Sequence, residues 1–301
     1  FLKKELDTLQ MLRDTVLLEL MSPKDEMKMQ WEAQIDRIYY SLLMRGERVQ
    51  KKEIVRVLTI SGKTVLKPNE QAIIGYKKSL DVLNQHWIYV PDQTVNIRDV
   101  LSLYTPIYHD FSSKIKDLTT ILQFLQVSPE PPVIQSALAF AMVDHTFGNN
   151  DDSKRLATLM SYVFMYKNGY NFRNTVVFEE HLALHKTALE GALMGAYQRK
   201  NLSPFLDFFI FAVEDQVKKA ITKLKKKDIE TIYPPGFFDL SERQKEIMSI
   251  VDRPATRITN KMVQKQFKVS QITASRELAK LATLGLILSI GKGRSVYYTK
   301  A

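Results

Sequence analysis

From residue 4 to residue 226, apolar residues recur at spacings of three and four, with almost no alternating stretch between them. This periodicity predicts helices over 4–20, 26–44, 70–85, 112–126, 132–143, 153–168, 179–198 and 203–226. Strand-like stretches are scarce before residue 285, so this part of the chain must bury helix against helix and is expected to be mainly α. Apolar residues make up 45% of the 301, enough for a sizeable core, and the length suggests two domains or three. No apolar run approaches the roughly 20 residues that span a bilayer, so no membrane partner is expected. The chain opens Phe1-Leu2-Lys3-Lys4-Glu5, directly in an amphipathic helix. No signal peptide is visible, and without an initiator methionine a short leader is expected ahead of Phe1. There is no cysteine, which excludes disulfides and thiolate metal sites and fits a reducing cytoplasm.

Two breakers divide the helical run. Pro129-Glu130-Pro131-Pro132 precedes an apolar helix from Val133, and Tyr233-Pro234-Pro235-Gly236 follows the cationic helix end Lys223-Leu224-Lys225-Lys226-Lys227. A linker is expected at 223–239.

Beyond it the charge changes. The formal net charge of the whole chain is +10. Residues 241–301 hold twelve Lys and Arg against four Asp and Glu, a net +8, which leaves about +2 for the first 240. Charge concentrated in so small a segment is the footprint of a polyanion-binding module. Ser241 to Gln244 reads as a capping box opening a helix that buries Ile247, Ile250 and Val251. Arg257-Ile258-Thr259 reads as a short strand, and Thr259 caps a second helix with Met262, Val263 and Phe267. Ser270 caps a third, whose Ala274, Leu278, Leu281 and Gly285 face the core while Gln271, Thr273, Ser275 and Arg276 face out. Leu286–Ile290 and Ser295–Thr299 then form a hairpin around Gly291-Lys292-Gly293-Arg294. The order is that of a winged helix. Its third helix would enter the major groove of DNA, with Gln271 and Arg276 able to make bidentate base contacts and Lys292 and Arg294 reaching phosphates.

The stretches Val269–Leu278, Gly285–Ile287 and Gly291–Ser295 resemble winged helices of bacterial regulators, and look most like those at the C-terminus of Fic-family proteins. Fic proteins are all-helical enzymes that usually move AMP from ATP to a target hydroxyl. Their signature reads His-Pro-Phe, two residues, Gly-Asn-Gly-Arg, then a second Arg two residues on. Val133–Leu156 resembles the region that carries it, from the Pro-rich entry through an apolar helix and a loop to a second helix with Arg-Leu, ending at Asn168-Gly169-Tyr170. Asn69–Ile73 with Tyr76, and Leu202–Phe209, are similar to flanking family helices. The resemblance implies an all-helical Fic-like domain followed by a small α/β winged helix. It divides the chain into an N-terminal helical region (1–70), a Fic-like core (71–230) and the winged helix (240–301).

The signature itself departs from the family. His145 and Phe147 stand for its histidine and phenylalanine, with Thr146 in place of proline. Gly148-Asn149 stands for the phosphate turn but comes early, the first Arg is absent, and Asn150, Asp151 and Asp152 occupy phosphate-binding positions. Arg155 matches the second Arg. Ser41-Leu42-Leu43-Met44-Arg45-Gly46-Glu47 resembles the family's inhibitory helix with its glutamate replaced by Arg45 after Ser41 and before Gly46. Between Ile97 and Phe111 there is little room for the hairpin that clamps target peptides.

Three readings stay open. The first is a DNA-binding regulator with little or no transferase activity. The second is a transferase acting on a protein target, with His145 as base, ATP on Gly148, Asn149 and Arg155, and Mg²⁺ on Asp151 or Asp152. The third is an unrelated helical effector-binding domain. His181 and His185 have a spacing seen in metal sites but read as a solvated helix face, and no metal is expected. Phe205, Phe208, Phe209 and Phe211 read as core or subunit interface. A homodimer on paired half-sites is expected.

Overall fold

The computed structural model describes residues 2–59, 66–87, 94–225, 238–253, 256–291 and 295–300. Fourteen α-helices and one two-stranded sheet occupy them. The helices are α1 Leu2–Leu18, α2 Pro23–Met44, α3 Lys51–Thr59, α4 Pro68–Trp87, α5 Ile97–Tyr104, α6 Ile115–Val127, α7 Pro132–Thr146, α8 Asp151–Tyr166, α9 Phe178–Leu184, α10 Lys186–Arg199, α11 Ser203–Lys225, α12 Glu242–Val251, α13 Asn260–Phe267 and α14 Gln271–Thr283. The strands are β1 Ile287–Ile290 and β2 Tyr297–Lys300.

The body is organised around α8, in which every residue from Ser153 to Tyr166 is buried. A helix buried on all sides must be wrapped by others. Its main partner is α7, whose Ser136 hydroxyl donates to the Ser161 carbonyl at 2.7 Å where small residues let the helices approach. Around this pair, α2 packs on α9 and α4, and α11 packs on α1, α7, α9 and α10. One polar network crosses the apolar core. Glu179 of α9, fully buried, accepts hydrogen bonds from Tyr76 of α4 and Tyr162 of α8, each at 2.7 Å. Arg37 of α2 lies 4.7 Å over the Tyr162 ring and donates to the Tyr166 hydroxyl and the Val176 carbonyl. Four helices are thereby pinned in one arrangement, since each buried charge is hydrogen-bonded rather than orphaned.

Several elements differ from the periodicity. Helices α3 and α5 are short, with only eight or nine residues, and their three-residue apolar faces are too brief to register as a repeat. The single helix expected over 179–198 is broken at His185 into α9 and α10. No strand occurs among residues 94–111, where α5 lies instead.

The C-terminal unit has its own apolar cluster, with Ile247, Val251, Ile258, Val263, Ala274, Leu278, Leu281 and Ile287 at its centre. Capping boxes or side-chain caps at Ser241, Thr259 and Ser270 open its three helices as the sequence indicates. Ile258 bridges Tyr298, and β1 pairs antiparallel with β2 in the register Ile287 to Lys300. Along the chain the order is helix, isolated bridge, helix, turn, helix, hairpin. Lys292 and Arg294, and the middle of the linker expected at 223–239, lie outside the described residues.

Candidate functional site

The loop between α7 and α8 is where the sequence places its chemistry. Helix α7 ends at Thr146, and the chain turns through Gly148 and Asn149, both at positive φ. The amides of this turn point back rather than outward: Gly148 donates to the His145 carbonyl at 3.3 Å, and Asn149 to the Asp144 carbonyl at 3.0 Å. Asn150 then caps α8, accepting from the Ser153 amide at 2.8 Å, while the Ser153 hydroxyl accepts from the Asn150 amide at 2.7 Å. This reciprocal box satisfies groups that a helix N-terminus would otherwise offer to an anion. Lys154, though buried, reaches back to the Asn149 and Asn150 carbonyls at 3.3 and 3.4 Å.

The first two residues of α8 are carboxylates, and each is neutralised by the fold. Asp151 pairs with Lys186 at 2.6 Å, and the same ammonium donates to the Met44 carbonyl at the end of α2. The break at His185 sets Lys186 at the start of α10, within reach of both. Asp152 pairs with Arg45 at 3.2 Å and with Arg155 at 3.4 Å. Arg155, 2% exposed, donates from Nε to the fully buried Ser41 hydroxyl at 2.8 Å and lies 5.2 Å over the Tyr76 ring. Burial lowers its pKa from the ordinary guanidinium value, against the opposite pull of Tyr76 and Asp152. Gly46, at φ +77°, closes α2 with its amide on the Leu43 carbonyl while Glu47 donates to Leu42, a Schellman ending.

His145 is exposed, and its ring lies 4.7 Å from that of Tyr197. The polar group beneath it is Asp144, fully buried, touching the Ser153 hydroxyl and 3.0 Å from the Tyr197 hydroxyl. Burial raises the Asp144 pKa, with Ser153 and Lys154 offsetting part of the effect. Lys186 and Tyr197 carried no signal in the sequence, because their partners Asp151 and Asp144 lie far from them along the chain.

No protein-family model matches the chain, and no curated protein matches it. Solved structures do. A Fic family protein from Desulfovibrio desulfuricans G20 superposes with a TM-score of 0.57 at 11% identity, covering 99% of this chain and 96% of that one. Fic-1 from C. elegans (residues 134–508) superposes with a TM-score of 0.62 at 15% identity, covering 75% of this chain and 73% of that one. The fold is Fic-like.

The end of α2 meets the start of α8 through a cation on the α2 side and a carboxylate on the α8 side. The resemblance puts a glutamate at position 45 and arginines on α8, whereas here an arginine on α2 meets an aspartate on α8. The residues present do not fit a triphosphate. Two carboxylates head the helix, the turn amides cap α7, and the cations nearby already hold those carboxylates. Nor is an acidic cage for a divalent cation assembled: among the described residues, no group of three His, Asp and Glu gathers.

In the C-terminal unit, the first turns of α14 are open. Ser270, Gln271, Ser275 and Arg276 are exposed and Thr273 is half-buried. Asn260 at the start of α13, which the sequence reading passed over, donates to the Ser275 hydroxyl at 2.7 Å and the Gln271 carbonyl at 3.2 Å, fixing the start of α14 against α13. Three of the unit's four carboxylates are taken up: Glu277 by Arg243, Glu242 by Lys245 and Asp252 by Lys300. Among the described residues, no ion pair falls on Lys261, Lys265, Lys268 or Arg276.

The histidine pair reads differently from the sequence. His181 is 3% exposed with Nδ1 at 2.9 Å from Asp215, so it belongs to the core rather than to a solvated helix face, while His185 is exposed at the α9–α10 break. The phenylalanines divide too, with Phe205 and Phe209 in the core and Phe211 59% exposed.

Among the described residues, no helix is long and apolar enough to cross a membrane.

Proposed function

We propose that this chain is a DNA-binding regulator whose Fic-like body has little or no AMP-transferase activity. The observation that carries the reading is the closed N-terminus of α8. Asp151 and Asp152 stand at the phosphate-binding positions and are held by Lys186, Arg45 and Arg155. A triphosphate would have to displace three ion pairs and approach two carboxylates. His145 is exposed with its ring tilted against Tyr197, and among the described residues no ion pair orients it as a base. The basic surface of α13 and α14, with an open reading helix, supports the DNA half of the proposal. Winged helices commonly read paired half-sites, so the working form proposed is a homodimer.

The test has two arms. ATP with Mg²⁺ is titrated into the full-length protein by calorimetry. No saturable binding at millimolar ATP is expected, and saturable binding that disappears in Arg155→Ala overturns the first half in favour of a transferase acting on a protein hydroxyl. In the second arm, fluorescence anisotropy follows binding to a random-sequence duplex across salt concentrations. Tight binding that falls steeply with salt is expected. No binding at low salt overturns the second half.

A further inference from the structure

Position 272 is anomalous. Ile272 is the second residue of α14, and it is 66% exposed. Its neighbours on the open face, Gln271, Ser275 and Arg276, are polar, while the helix's core positions Ala274, Leu278 and Leu281 lie fully buried on the opposite side. The residue contributes nothing to the apolar cluster of the C-terminal unit, which is complete without it. A β-branched side chain in a helix has one strongly preferred χ1, so Ile272 presents a stiff apolar knob rather than a mobile one. The Ser270 cap and the Asn260 hydrogen bonds to Ser275 and Gln271 hold the turn that carries it.

We propose that Ile272 is a specificity-determining residue that reads a thymine through its C5-methyl group in the major groove. The inference rests on the DNA-binding reading above and deepens it. N-terminal residues of a recognition helix meet base edges, and an apolar side chain there has one complementary group among the four bases, the thymine methyl. Gln271, adjacent in sequence, is of the type that pairs bidentately with adenine, so the first turn of α14 is built to prefer an A·T-rich step.

The experiment starts from a preferred duplex enriched from a random pool by the full-length protein. Each thymine in the half-site is then replaced, one at a time, by deoxyuridine, which removes only the methyl group. At one position the wild-type protein is expected to lose roughly three- to tenfold in affinity. Ile272→Ala should bind the thymine and deoxyuridine duplexes equally, while Ile272→Val retains most of the difference. Arg276→Ala should remain sensitive to the methyl. Because Ile272 is exposed, the variants are expected to melt with the wild type, and a thermal melt checks this. The inference is overturned if every deoxyuridine duplex binds within twofold of its parent, or if Ile272→Ala keeps the methyl sensitivity. A protein that enriches no sequence yet binds DNA with a steep salt dependence sinks this inference alone. A protein that binds no DNA sinks it together with the reading on which it rests.

Discussion

The Arg45 guanidinium on α2 and the Asp152 carboxylate on α8 meet at 3.2 Å, and the contact joins the end of one helix to the beginning of another. Both side chains are partly open to solvent, so the pair itself is worth a few tenths to about 1 kcal/mol and should weaken with salt. Its direction is nonetheless specific. Arg45→Glu places a carboxylate beside Asp152 and should destabilise by about 1 kcal/mol, whereas the exchange Arg45→Glu with Asp152→Arg should recover most of that loss. Urea unfolding of the single and double variants completes the cycle. Strict additivity of the two changes would mean that the residues do not interact.

The Glu179 network predicts a larger effect. Removing a buried carboxylate takes the acceptor from the Tyr76 and Tyr162 hydroxyls and the favourable field of a nearby negative charge from Arg37. Glu179→Ala is expected to cost about 3–5 kcal/mol, and Glu179→Gln less, because the amide oxygen keeps an acceptor. Chemical denaturation provides the measurement. A loss below about 1 kcal/mol for the alanine variant would show that the network is replaceable.

A pH dependence follows from His181. Burial lowers its pKa below the ordinary 6.5, with the Asp215 hydrogen bond opposing, His185 and Lys219 adding to the lowering, and the Phe208 and Phe211 rings beside it. The folded state therefore resists protonation that the unfolded chain accepts. Stability should fall as pH drops through about 6.5, because there the unfolded state binds more protons. His181→Gln should flatten the change in urea midpoint between pH 7.5 and pH 5.5. An unaltered slope in the variant would assign the dependence to other groups.

Much of this was legible in the residues. Caps at Ser241, Thr259 and Ser270, followed by apolar spacing, give the C-terminal helices because capping and amphipathicity are local. The long helices of the body were visible for the same reason. The Pro-rich entry to α7 and the Arg-Leu of α8 were enough to suggest the Fic-like arrangement. The site was less legible. Position 45 and positions 151 and 152 could be recognised as departures, but the pairing of Asp151 with Lys186 depends on the break at His185, where no proline or glycine announces it. Asn260, Tyr197 and Lys186 act on partners distant along the chain, and nothing in their local sequence marks them. His181 looked like part of a polar helix face because Asp215, its partner, lies on α11.

Helix α14 supplies the most direct test of the proposed reading of DNA. Arg276 is exposed and its guanidinium makes no ion pair among the described residues, while the neighbouring Glu277 is held away by Arg243 and Gln244. An arginine left free in this way can bind a guanine edge with both arms. Arg276→Ala should cost about 1–3 kcal/mol on the preferred duplex and relax the preference at one base pair. Lys292, which the sequence places in the wing, should behave otherwise. Lys292→Ala should weaken all duplexes to a similar degree and reduce the slope of log affinity against log salt by about 1, since a phosphate contact carries no sequence information. Asn260→Ala separates positioning from contact. It removes the hydrogen bonds to Ser275 and Gln271, so it should blur discrimination while leaving the salt slope unchanged. If Arg276→Ala and Lys292→Ala give the same uniform loss, α14 does not sit in the groove as described, and the basic face binds DNA without reading it.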